Sequence, residues 1–84
     1  AQQGHAESQY NTGVHYRDGT GFEQSYERAA EWFEKAARQG DPGAMSALGD
    51  LYRFGEGVPQ SHERAVELFR QSAAQSMVTL GRDS

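Results

Sequence analysis

The stretch YRDGTGFEQS, residues 16–25, returns as YRFGEGVPQS, residues 52–61. The offset is 36 residues with no gap. Sliding the chain against itself by that distance pairs residues 1–48 with 37–84, and 17 of the 48 pairs are identical. About 3 would match by chance at ordinary composition; a fixed period of this size is the mark of a stacked repeat array. The matches continue past the loop through Glu27-Arg28-Ala29, Glu31, Phe33, Ala37 and Gln39, which pair with Glu63-Arg64-Ala65, Glu67, Phe69, Ala73 and Gln75. After Gln75 no pair matches.

This phase divides the chain. Residues 1–4, Ala-Gln-Gln-Gly, correspond to 37–40, Ala-Arg-Gln-Gly, and read as the end of a preceding repeat. The first repeat then spans 5–40 and the second 41–76. Residues 77–84 form a tail that either begins a third helix or caps the last one, with Met77, Val78 and Leu80 as its apolar residues. The chain is accordingly expected to be a piece of a longer array.

Each unit reads as two helices. In the second unit Asp41 is an N-cap and Pro42 takes the first helical position, where a missing N–H costs nothing. Ala44, Leu48, Gly49 and Tyr52 recur with helical period, which predicts a helix over 42–54. The counterpart over 6–18 carries Tyr10, Gly13 and Tyr16 but starts on His5 and Ala6. Glycine inside a helix costs about 1 kcal/mol against alanine, so Gly13 and Gly49 imply a neighbour too close for a Cβ. The Gly-x-Gly loops reverse the chain. Phe22 and Val58 are expected to turn inward between the helices, and Ser25 and Ser61 to cap second helices over 26–39 and 62–75. Ala29, Trp32, Phe33, Ala36 and Ala37, with Ala65, Leu68, Phe69, Ser72 and Ala73, form their apolar stripes. Glu31–Lys35 and Glu34–Arg38 are spaced as i,i+4 ion pairs.

Composition excludes several classes. The 84 residues carry a net charge of −4 with both signs interspersed, not the basic stripe of a nucleic-acid binder. No apolar run reaches membrane-spanning length. With no cysteine, a disulfide framework and a cysteine metal site are excluded. The fold class expected is all-α.

The spacing A-x3-LG-x2-Y-x2-G-x-GV-x6-A-x2-(W/L)F-x2-(A/S)A resembles the Sel-one-like repeat (SLR), a relative of the tetratricopeptide repeat. Its positions are Ala44, Leu48, Gly49, Tyr52, Gly55, Gly57, Val58, Ala65, Leu68, Phe69, Ser72 and Ala73. In the first unit they are Ser8, Thr12, Gly13, Tyr16, Gly19, Gly21, Phe22, Ala29, Trp32, Phe33, Ala36 and Ala37, with Ser8, Thr12 and Phe22 departing from the usual residues. The resemblance implies a right-handed α-solenoid of two antiparallel helix pairs with a short C-terminal tail. It also implies the work of an adaptor that presents a concave face to a protein or peptide. A cysteine-rich branch of the family is linked to β-lactam binding, and the absence of cysteine counts against that hydrolase reading here.

No catalytic, cofactor or metal site emerges from the residues. His5, His15 and His62 lack the i,i+4 spacing of a zinc helix. Glu27 and Glu31 recur as Glu63 and Glu67 and are explained by the duplication. The Gly-x-Gly loops lack the strand and third glycine of a dinucleotide site. What remains is a set of first-helix positions expected to face away from the apolar stripe: Glu7, Asn11, Val14, His15 and Asp18 in one unit, and Ala47, Asp50, Leu51 and Phe54 in the other. They differ between copies where loop and stripe agree. A varied binding face on a repeated scaffold gives that contrast, and so does drift on an exposed surface. Of these, Asn11, Val14, His15, Asp18, Ala47, Asp50, Leu51 and Phe54 are the candidate partner contacts, Leu51 and Phe54 standing out as apolar residues on a face expected to be exposed. The alternative is self-association through the open ends of the repeats.

Overall fold

The computed structural model describes the chain from Gln2 to Gly81 except Thr20 and Phe22, with side-chain surroundings from His5 to Gln75. Four helices follow one another: α1 (Gln2–Asp18), α2 (Tyr26–Arg38), α3 (Pro42–Phe54) and α4 (His62–Gly81). No strand occurs among the described residues. Each helix packs on the next, so two hairpins, α1–α2 and α3–α4, are joined through the α2–α3 contact. The architecture is an all-α solenoid.

One turn decides how the hairpins stack. Gly40 takes φ +93°, a conformation open to glycine without strain. Asp41 then accepts a hydrogen bond on Oδ1 from the Gly43 N–H at 3.0 Å, and Pro42 opens α3. The equivalent positions at the two ends lack this chemistry. At the front, Gly4 is followed by His5-Ala6, which offers neither cap nor proline, and α1 runs through it from Gln2. Residues 1–4 were expected to close a preceding repeat, but 2–4 instead extend α1. At the back, Ser76-Met77-Val78 stand where Gly40-Asp41-Pro42 stand, and α4 continues unbroken to Gly81. The expected separate tail is, up to Gly81, the last part of α4. How Met77, Val78 and Leu80 pack lies outside the described residues, as does the expected inward turn of Phe22.

The core is small and alanine-rich. Ala29, Ala30 and Phe33 of α2 meet Ala47, Leu48 and Leu51 of α3, with Tyr10, Val14, Val58 and Leu68 packed around them. A second patch joins Ala6, Ala36 and Ala44. Phe33 and Leu51 are the largest fully buried side chains; burying each contributes about 1.5–3 kcal/mol. The intruding neighbour expected at Gly13 is the ring of Phe33, which would lie 2.7 Å from an added Cβ. At Gly49 it is the ring of Phe69, at 2.9 Å. Glycine here sets how closely the two helices of a hairpin approach.

Candidate functional site

The eight candidate contacts are four pairs of equivalent positions: Asn11 with Ala47, Val14 with Asp50, His15 with Leu51, and Asp18 with Phe54. The structure splits three of these pairs by burial, while Asp18 and Phe54 are both exposed. Asn11 and His15 are exposed, whereas Ala47 and Leu51 are buried. The expectation that Ala47 and Leu51 face solvent is therefore corrected: both belong to the core against α2. Val14 is half-buried against the same core, while Asp50 is exposed. The cause is position in the stack. α3 has α2 on one side and α4 on the other, whereas α1 packs mainly on α2. Much of the variation between copies thus separates a stacked face from an unstacked one.

Five candidates stay at the surface: Asn11, His15, Asp18, Asp50 and Phe54. The last pair closes each first helix in a parallel way. Arg17 donates from Nε to Asp18 Oδ1 at 3.2 Å, and Arg53 lies 5.2 Å from the centroid of the Phe54 ring. The same arginine of each repeat therefore meets the neighbouring residue as a carboxylate in one copy and as an aromatic face in the other, and Arg17 also lies 5.9 Å from the centroid of the Phe33 ring. The Asp18 and Phe54 contacts are exposed and each contributes no more than about 1 kcal/mol.

The Gly-x-Gly loops spend their hydrogen-bond donors on the helices they join. Gly19 donates to the His15 carbonyl at 2.8 Å, Glu56 to Leu51 at 2.9 Å, and Ser25 and Ser61 to Tyr16 and Tyr52, both at 2.9 Å. Ser25 and Ser61 each accept on Oγ, at 3.2 Å, from the N–H of Arg28 and Arg64. One pair of residues was missed in the sequence. Gln24 donates from Nε2 to the Arg17 carbonyl at 2.7 Å, and Gln60 does the same to Arg53 at 2.9 Å. Each side chain thereby closes the end of the preceding helix. Their identity in both copies was the available signal.

A groove of about 160 Å³ lies between α2 and α4, with Leu48, Tyr52 and Leu68 among its apolar residues and Glu34, Arg38 and Arg64 among its charged ones. The Arg64 guanidinium donates to the Tyr52 hydroxyl, which holds its pKa above the ordinary range. Charges of both signs on the rim leave no single-sign field for an anionic or cationic ligand. Among the described residues no three or more of His, Cys, Asp and Glu are grouped to hold a metal ion. No helix among them is long and apolar enough to cross a membrane.

A family model described as Sel1 repeat matches residues 6–41 and again 42–77. The chain belongs to the Sel1 repeat family. Solved structures share its fold, and two show how closely. One is a protective antigen present in uropathogenic Escherichia coli strains, displaying an SLR fold. It is 39% identical, with a TM-score of 0.83 over 89% of this chain and 16% of the antigen chain. The other is a Sel1 repeat protein from Oxalobacter formigenes, 36% identical, with a TM-score of 0.82 over 83% of this chain and 29% of that one. The Sel1 repeat chain thus spans less than a third of either. No match is found among curated proteins.

Proposed function

We propose that this Sel1 repeat chain is a non-catalytic interaction module that binds a protein or peptide through Asn11, His15, Asp18, Asp50 and Phe54. Sel1 repeat proteins commonly serve as protein-interaction modules. The observation that carries the reading is Phe54. Phe54 is 60% exposed at the end of a helix whose Met45, Leu48 and Leu51 are buried, and Arg53 stacks beside it. Aromatic residues, Phe included, and arginine are both enriched at the cores of protein interfaces. Asp50, one turn earlier on α3, adds a carboxylate that orients a polar partner group.

Peptides selected against the folded chain from a random display library test this. Selected peptides are expected to lose at least tenfold in affinity to the Phe54→Ala chain, with helix content unchanged. Equal affinity for Phe54→Ala and Asp50→Arg chains would overturn the assigned surface. Turnover of a substrate by the isolated chain, abolished by a single substitution, would overturn the non-catalytic reading.

A further inference from the structure

The charge of the chain is not spread evenly over its helices. α2 holds three acidic and three basic residues, α4 holds two of each, and Arg82 and Asp83 cancel. The net charge of −4 therefore falls on α1, α3 and their flanking turns. There Glu7, Asp18, Glu23, Asp41, Asp50 and Glu56 are balanced only by Arg17 and Arg53. The charges also differ in how they are met. On α2, Glu34 and Arg38 pair at 3.3 Å, and Lys35 lies over the Trp32 ring. On the first helices Asp18 is paired with Arg17, and Asp41 accepts from the Gly43 N–H. Glu7, Glu23, Asp50 and Glu56 have no ion-pair partner among the described residues.

Two of those four flank Phe54. Asp50 precedes it by one helical turn, about 6 Å of rise, and Glu56 follows it by two residues. The chain itself shows what this ring accepts: the Arg53 guanidinium lies 5.2 Å from its centroid. With Phe54 60% exposed, much of it stays open beyond that contact. Cations also lie over Phe33, Trp32 and Tyr52, so the pairing recurs through the chain. The ring quadrupole draws a cation to its face, and a carboxylate beside the ring adds a charge-assisted hydrogen bond. Even with Arg53 counted, the group of Asp50, Arg53, Phe54 and Glu56 is net negative. An acidic partner would meet like charge here.

We propose, on the reading that Phe54 and Asp50 belong to the binding face, that this face takes a basic segment of a partner protein. An arginine or lysine of that segment stacks on Phe54 and pairs with Asp50, and a second basic residue meets Glu56. The unpaired Glu7 and Glu23 add to the attraction that steers such a segment inward, an effect that salt screens.

The probe is a labelled synthetic peptide of alternating arginine and alanine, and its counterpart carries glutamate in place of arginine. Fluorescence anisotropy is expected to show saturable binding of the arginine peptide, weakening steeply as salt rises from about 0.05 M to about 0.5 M. The glutamate peptide is expected not to bind. Asp50→Arg and Phe54→Ala are each expected to weaken the arginine peptide at least tenfold, with helix content by circular dichroism unchanged. Glu31→Arg makes the same change of charge at an exposed position of α2 and is expected to leave affinity unchanged. No saturation at millimolar concentration, or equal weakening by Glu31→Arg and Asp50→Arg, would overturn the basic partner. Library-selected peptides that need Phe54 yet carry no excess of arginine or lysine would do the same while leaving the surface standing. An arginine peptide that binds the wild-type chain and both α3 variants alike would overturn the surface as well.

Discussion

His15 and Leu51 stand at the same place in α1 and α3, yet one is exposed and the other is 2% exposed. The two glycines that end each Gly-x-Gly run diverge in the same way. Gly21 and Gly57 share a positive φ, 76° and 77°, but a Cβ on Gly21 would meet nothing within 4 Å, while one on Gly57 would collide with the backbone of Tyr26. The second loop rests on the start of α2, whereas the space beside Gly21 is open. One repeated sequence thus produces two kinds of position, set by what lies alongside. Identity between copies reports the geometry inside a repeat. Difference between copies reports the contacts between repeats.

The sharpest way to break this comparison is to empty the two equivalent ring positions. Phe33→Ala is expected to cost about 4 kcal/mol, at the level of a fully buried ring, and Phe69→Ala about half of that because its site is partly open to water. Urea unfolding of the two variants checks the ratio. Exchanging His15 and Leu51 gives a smaller but more asymmetric effect. Leu51→His loses about 3 kcal/mol by placing a polar ring in the core, whereas His15→Leu stays within about 0.5 kcal/mol, as surface changes do. The loop glycines come next. Gly21→Ala is expected to cost about 1 kcal/mol from the left-handed backbone alone. Gly57→Ala adds the clash with Tyr26, so its thermal midpoint falls well below that of the Gly21 variant. The smallest effect tests the part the copies share. Ser25→Ala and Ser61→Ala each lose about 1 kcal/mol as N-caps, and a clear inequality between them would show that the caps, too, depend on place in the stack.

The sequence made the repeat, the loop and the mid-helix glycines legible because each is fixed by short-range chemistry. Asp41-Pro42 marked the start of α3 at the residue where it begins. Burial across helices was harder to read. Ala47 and Leu51 looked like exposed variants because their partners, Ala30 and Phe33, are 17 and 18 residues away in the chain, and helical period does not say how many helices flank a stripe. Trp32 and Lys35 show a milder case. The spacing pointed to a Glu31–Lys35 ion pair, but the Lys35 ammonium lies 4.4 Å from the centroid of the Trp32 ring. The neighbouring Glu34–Arg38 pair does form, at 3.3 Å. A half-buried indole competes well for a cation whose ion pair in water contributes so little. The length of α4 was legible in principle, since Ser76-Met77-Val78 carry no stop signal, but absence of a signal is weaker than its presence.

The nearest-neighbour arrangement of the four helices also sets how quickly the chain finds its fold. Each principal packing partner is the next helix along the sequence, so little chain entropy is lost in bringing partners together. Domains dominated by such local contacts fold within microseconds to milliseconds. Either hairpin can form first and template the other across the Gly40 turn, as in other one-dimensional stacks.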